Sequence, residues 1–456
     1  MIMSHRARLV LSAVIALLFL VFSYWVTNLN YPISGEKQIL CYLEAAREYL
    51  RPGERKIGEE IVCVDVTFDK VLCAKINENK LPLGQVAVTD RQKLLKLLRY
   101  LKEENNYRYI LLDVFFADGV STEWDEELFE TIISMPRIVV PCHIGENIAD
   151  KRLLAKAGVA DYKLTLSESD FVKYPYVLSD SLPSIPIKMY EELTGHKINK
   201  HWIFYNDGWR LARKSIVLTF EAQIGDSKNK VGGSDMVGDN ALVYKLGLDL
   251  LDDESPDMDN GLLSYDTKLM RDKYVIIGSF YGDDMHNTYV GKVPGALILF
   301  NAYKSLLDCH HIVSILFAFI LYLIFFTFSY FILSRIKLSN ICFHYAYKTK
   351  YWPVRIVMKG LARVLSYSWV EYSLLLSIMC IITYLLLGEV YDIFITSTLF
   401  SLFNFIVKHS KRIKFYYIRV VESLRKMLVG LKKGCIIAGR EFCKLLNRLK
   451  IWNIKK

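Results

Sequence analysis

Apolar positions along this chain change period several times. Residues 9–29 run for about twenty positions without a charge, enough for a helix to cross the hydrocarbon core of a bilayer. Arg6 and Arg8 precede them, and Tyr24 and Trp25 stand where an interfacial aromatic belt belongs. No small-x-small cleavage site follows, so an uncleaved signal anchor is the reading. From 30 to 311, short β-favouring runs alternate with stretches of helical period. Residues 60–66, 108–114, 137–142 and 274–277 read as strands, with further strands near 202–205, 215–220 and 242–246. Helical spacing marks 36–50, 123–133 and 187–193. It also marks a helix carrying Leu94, Leu95, Leu98 and Leu101 behind a capping box at 89–92, and a run through Ala296, Phe300, Tyr303 and Leu307 that Pro294-Gly295 starts. Strands separated by helices predict an α/β domain with a mainly parallel central sheet flanked by helices.

Beyond it, 312–334 is an apolar span ended by Arg335 and Lys337, and 335–369 is a basic loop. Residues 370–388 form a third span. Residues 390–407, at the short limit, read as a fourth span or a re-entrant segment. The predicted architecture is therefore one transmembrane helix before the α/β domain and three after it. The tail, 408–456, alternates cations with apolar positions at helical spacing. It lies against an anionic leaflet or a partner helix through Lys411, Arg412, Lys414, Arg425, Lys426, Lys432 and Lys433, or is simply a solvated basic tail.

Charge sets the orientation. The chain has 456 residues, 52% of them hydrophobic, and a formal net charge of +10. Region 30–311 sums to about −9, whereas 335–367 has cations and no acid. Cations that flank spans are explained by the positive-inside rule before nucleic-acid binding, which is disfavoured. The expected topology places 1–8, 335–369 and 408–456 in the cytoplasm and 30–311 outside, in a bacterial inner membrane. The spans carry acids only at their ends (Glu371, Glu389, Asp392), which argues against an ion-coupled transporter.

Candidate chemistry is sparse. Asp65, Asp113 and Asp118 stand at or just past strand ends, where open α/β sheets gather ligands; their rival role is capping helices and closing turns. Asp283, Asp284 and His286 form the densest polar cluster and are weak metal candidates. No Cys-x-x-Cys pair, Gly-rich phosphate loop or Gly-x-Ser-x-Gly elbow occurs. Cys63 and Cys73 are either bridged or free thiols. No cofactor is implied.

The stretches 62–72 (VCVDVTFDKVL), 109–132 (YILLDVFFADGVSTEWDEELFETI) and 273–307 (KYVIIGSFYGDDMHNTYVGKVPGALILFNAYKSLL) resemble, in this order, the CHASE-two family of extracytoplasmic sensory domains. The matching positions are Asp65, Asp113 with Phe115 and Phe116, Asp125, Ile276-Ile277-Gly278, Gly282-Asp283, Thr288, and Pro294-Gly295 with Asn301. Asp207-Gly208 with Arg210 and Arg213 resembles the family's Asp-Gly-Arg turn. The resemblance covers roughly 35–310. It implies a ligand-sensing domain, with Asp65, Asp113, Asp118, Asp283, Thr288 and Asn301 as candidate ligand contacts. Family members usually continue into a kinase, cyclase or similar output domain. Here about fifty residues follow the last span, so the expectation is that output passes through a partner.

These readings predict a receptor-like membrane protein without catalysis of its own, which binds a signal outside and relays it to a cytoplasmic or membrane partner. The lipid bilayer is a second partner, and a homodimer is compatible with the layout. The alternatives are a membrane-anchored metal-dependent hydrolase and a non-sensing scaffold for a signalling complex.

Overall fold

The structure is a computed structural model. It describes residues 4–28, 42, 60–76, 81–161, 170–171, 173–176, 182–202, 204–222, 235–237, 241–251, 269–288, 290–387 and 393–409. The chain forms two compact units, one built from 17–324 with 377–394, the other from the remaining segments. All of the expected helix at 36–50 except residue 42, and the tail cations Lys411, Arg412, Lys414, Arg425, Lys426, Lys432 and Lys433, lie outside the described residues.

Within the first unit, β1 (Ile61–Asp65) leads into a hairpin of β2 (Lys70–Ile76) and β3 (Pro82–Thr89). β4 (Tyr109–Leu112), β5 (Ile138–Cys142) and β6 (Ala157–Val159) follow. Next come the short β7 (Asp170–Phe171) and β8 (Lys173–Pro175), the meander β9 (Ile198–His201), β10 (Phe204–Asp207) and β11 (Arg210–Ala212), and then β12 (Ser215–Val217). β13 (Asp235–Val237), β14 (Ala241–Lys245), β15 (Tyr274–Gly278), β16 (Met285–Thr288) and β17 (Gly291–Pro294) complete the described strands. The central sheet has seven strands in the order β13-β14-β1-β15-β4-β5-β6. All its pairings are parallel except β13 with β14.

Because both faces are covered, the strands read as unbroken apolar runs and every residue of β1, β4, β5 and β15 is buried. On one face Val62, Val64, Ile110, Leu112, Val275 and Ile277 pack with α2 (Arg91–Glu104) and α3 (Asp125–Ser134). On the other, Ile61, Cys63, Tyr109, Leu111, Tyr274 and Ile276 pack with α4 (Ile185–Thr194) and α5 (Gly295–Leu307). Alternate residues of each strand serve opposite cores, as period two requires.

Two local expectations are corrected. The N-cap of α2 is Asp90, whose carboxylate accepts from Gln92 N at 3.0 Å and Lys93 N at 3.1 Å. Thr89 cannot cap because it is still paired with Lys70 in the β2–β3 ladder. Trp202 ends no strand: at φ 56° it turns the chain between β9 and β10.

Among the described residues, two helices are long and apolar enough to cross a membrane: α1 (His5–Thr27) and α6 (Ile315–Ser334). The segment expected as a basic loop contains two helices, α7 (Leu338–Lys348) and α8 (Trp352–Val364). α9 (Ser368–Leu387) follows. A third span requires 352–364 and 369–384 to act as one, bent by 110° at their junction, and Ile393–His409 is a shorter apolar helix.

Candidate functional site

A parallel sheet turns one edge toward the ends of all its strands. Here β15 lies between β1 and β4, yet its following helix, α5, covers the face opposite to α2 and α3, which follow β1 and β4. Chains leaving neighbouring strands toward opposite faces open a crevice at the carboxyl edge. Gly278 ends β15 in that crevice, paired with Asp65, while Asp113 N donates to Ile277 O at 2.7 Å. A Cβ on Gly278 would stand 3.0 Å from the Cβ of Ala296 and 3.3 Å from that of Asp113, so the bare backbone lets both approach.

Asp65 is 1% exposed. Its Oδ1 accepts from Thr67 N at 3.0 Å, from the Thr67 hydroxyl, and from Phe280 N at 3.1 Å. Its Oδ2 is buried and has no hydrogen-bond partner among the described residues. Asp113, partly buried, stands on the far side of β15 from it. Burial, aided by the charge of Asp284, pushes the Asp113 carboxyl up to about 7. Asp284 lies over the first turn of α5: a Cβ on Gly295 would come within 2.7 Å and 2.8 Å of its two oxygens. Its Oδ1 also meets His286 Nε2 at 3.2 Å. Partial burial pulls the Lys70 ammonium below its usual range, and Asp65 and Asp284 draw it back up. The rim continues with His143 after β5, whose Nδ1 is 3.2 Å from Asp161 after β6 and whose ring meets Phe115 edge-on at 4.7 Å.

The other candidates sit apart from this group. Asp118 is exposed and accepts from Gly119 N within its own turn. Thr288 donates to Gly291 O at 2.7 Å and closes the β16–β17 hairpin. Asn301, fully buried on α5, accepts from Glu221 N and Ala222 N and donates to Ala222 O and Leu297 O. Its whole hydrogen-bonding capacity serves the backbone. Asp283 lies in the short turn 282–284, and its side chain is outside the description. Among the described residues no cluster of three or more His, Cys, Asp or Glu could hold a metal. Cys63 and Cys73 are free thiols, and burial pushes the Cys63 thiol up.

Sequence reasoning missed Thr67, His143 and Asp161, although each stands within two residues of a strand's end. Asp207 and Arg210 were read only as part of the Asp-Gly-Arg resemblance, and their partners Tyr190, His196 and His311 were missed; together they form a second polar centre on the approach to α6. Asp207, at the end of β10, is buried and accepts from Tyr190 Oη at 2.8 Å. His196 Nδ1 at 3.0 Å, His311 Nε2 at 3.2 Å and Arg210 Nη2 at 3.5 Å complete its surroundings. Burial works against the Asp207 charge, but hydrogen bonds from Tyr190, His196 and His311 outweigh it and hold the carboxyl below its usual range. Burial pushes His311 down to about 4, against the pull of Asp207.

The same meander holds the end of α1 and the approach to α6. Tyr24 Oη, near the end of α1, donates to Ala212 O at 2.7 Å and accepts from Tyr205 N at 3.2 Å. Asn28 Oδ1 accepts from Lys214 N at 2.8 Å. On the approach to α6, Arg213 N donates to His311 O and Val313 N to Leu211 O, both at 2.8 Å. An apolar cavity of about 140 Å³ lies beneath, lined among others by Leu20, Tyr24, Leu211, Phe317 and Leu321.

Comparison with curated proteins yields no match, and comparison with solved structures yields none either. A family model, the CHASE2 domain, matches residues 42–333, which takes in the central sheet, the crevice, the meander and nearly all of α6. With well over half of its length so matched, the chain belongs to the CHASE2 family of extracytoplasmic sensory domains.

Proposed function

We propose that this protein is a membrane-anchored sensor whose extracytoplasmic domain takes a small polar ligand, bearing positive charge or hydrogen-bond donors, in the crevice around Gly278. The observation that carries this reading is the pair Asp65 and Asp113 flanking the end of β15, one with an unpartnered buried oxygen, the other titrating near neutrality. A carboxyl poised near pH 7 changes charge at little cost when a cation or a proton arrives. The acceptor on Asp65 favours a ligand that donates.

The relay runs along α5. Its first turn lies under Asp284, and its thirteen residues cover about 20 Å before the chain reaches His311 and α6. A ligand that favours one position of the first turn of α5 shifts the meander that grips α1 and α6 together, provided it binds two arrangements with different affinity. The signal passes to a cytoplasmic or membrane partner. In this reading the chain crosses a bacterial inner membrane four times, at 9–29, 312–334, 370–388 and 390–407. Residues 30–311 lie outside and both termini inside, as the charge asymmetry supports.

The test is a melting-shift screen of the full chain in detergent against amines, amino acids, cations and periplasmic extract, run beside Asp113→Asn. A ligand that raises the wild-type Tm and not that of the variant supports the site. A shift equal in both places binding elsewhere, and no shift from any source counts against sensing. A phosphatase reporter at position 260 checks orientation: activity requires that position to be outside the cytoplasm.

A further inference from the structure

The segment between α6 and α9 carries Arg335, Lys337, Lys348, Lys350, Arg355, Lys359 and Arg363 and no acid. Its two helices meet through Cys342, Ala362 and Leu365, with Phe343 and Met358 against them. The pairing consumes one face of α8. A second face, formed by Val354, Val357, Leu361 and Val364 at intervals of three or four residues, remains exposed, with Val357 at 66% and Val364 at 51%. The space beside Gly360, between this face and the cationic one, is open. Arg355, Lys359 and Arg363 recur every four residues on the remaining face. Arg355 Nε reaches Ala346 O at 3.3 Å, and Lys359 lies 5.1 Å above the Tyr347 ring.

A helix with one face packed, one apolar and open, and one cationic fits a surface that is apolar below and anionic above. We propose that α7 and α8 form an interfacial hairpin seated in the phosphate-bearing, anionic surface of the lipid bilayer. Chain continuity supports this occupant. Only residues 335–337 separate the apolar α6 from α7, and only 365–367 separate α8 from α9, so with α6 and α9 crossing as proposed above both ends of the hairpin are tied to the height of the membrane surface. Tyr351 and Trp352, at the turn, are exposed at 76% and 71%, as interfacial aromatics are. The hairpin is therefore an electrostatic contact that senses the charge of its own leaflet. This inference rests on the reading of α6 and α9 as spans.

The experiment uses the full chain in lipid nanodiscs of phosphatidylcholine, with and without phosphatidylglycerol. A photoreactive diazirine amino acid is placed at position 357 or, as control, at position 319 in α6, where Phe319 is exposed. Cross-linked products are read by mass spectrometry. The expected result is lipid adducts at both positions, with those at 357 falling about threefold when phosphatidylglycerol is omitted or when Lys359→Gln and Arg363→Gln are combined. Lipid adducts at 319 with only protein or water adducts at 357 overturn the proposal and leave the span intact. Adducts at 357 confined to acyl-chain ends, unaffected by lipid charge, make α8 part of a span and also overturn it. If neither position labels lipid, the spanning reading has failed and this inference falls with it.

Discussion

Asp207 and His311 are 104 residues apart in sequence, and their Oδ2 and Nε2 atoms lie 3.2 Å apart with both side chains buried. The first ends β10 and the second stands four residues before α6, so one hydrogen bond joins the meander to the chain entering α6. Burial keeps His311 neutral, and the tautomer that donates to Asp207 carries its proton on Nε2.

This pair makes the protein acid-sensitive. The unfolded chain binds a proton on His311 near pH 6.5, whereas the folded chain resists until about 4. Stability therefore falls as pH drops from 6.5 to 4, by about 3 kcal/mol for this group alone. Asp207, held below its usual range, adds a loss as pH falls through its folded pKa. Melting curves of the full chain should show Tm falling across this window, and His311→Gln should flatten the upper part of the fall.

Asp113 has the opposite sign. Its folded pKa of about 7 lies above the unfolded value of 3.8, so the folded state keeps a proton that the unfolded state has released. Stability is greatest below 3.8 for this group and is lost as pH rises through 7. Asp113→Asn should raise Tm by roughly 2–5 °C at pH 8 and by little at pH 5. A uniform shift at both values would show that the carboxyl is not the titrating group.

Asn301 holds α5 to the segment at 221–222. Asn301→Ala would leave Ala222 N and Ala222 O buried, and Glu221 N half-buried, without this partner, at a cost of about 3 kcal/mol. Thermal denaturation should register a drop of roughly 5–10 °C. A near-neutral result would mean that water replaces the amide.

Tyr24 ties α1 to the meander through its ring and through both hydrogen bonds of its hydroxyl. Tyr24→Phe keeps the ring, stacked 5.4 Å from Phe204, and removes the bonds to Ala212 O and Tyr205 N. Hydrogen exchange at the Tyr205 amide should quicken by roughly tenfold, the equivalent of one ordinary hydrogen bond. An unchanged rate would show that the grip on α1 lies elsewhere, with Asn28 as the next candidate.

Much of the fold was legible in the order of residues. The strand Tyr274–Gly278 and the helix Gly295–Leu307 match their expected positions closely, because buried strands and a Pro-Gly helix start are local signals. The meander β9–β11 was placed less well. Its strands are three or four residues long, and the turn at Trp202 adopts a positive φ that its residue type does not announce. Of the crevice, Asp65 and Asp113 were readable as carboxylates at strand ends. Nothing local shows that β15, more than 150 residues further on, inserts between those two strands.

The sequence by itself determined the apolar runs of α1 and α6, the parallel α/β sheet and the family, since these depend on periodicity and motif order. Tertiary structure alone decided how each candidate polar side chain is engaged. Asn301 and Thr288 are engaged by the chain's own backbone, Asp113 acquires a near-neutral pKa through burial beside Asp284, and Asp207 draws in Tyr190, His196 and His311. Desolvation and hydrogen bonding act through space, and the groups that supply them here are brought together only when the sheet closes.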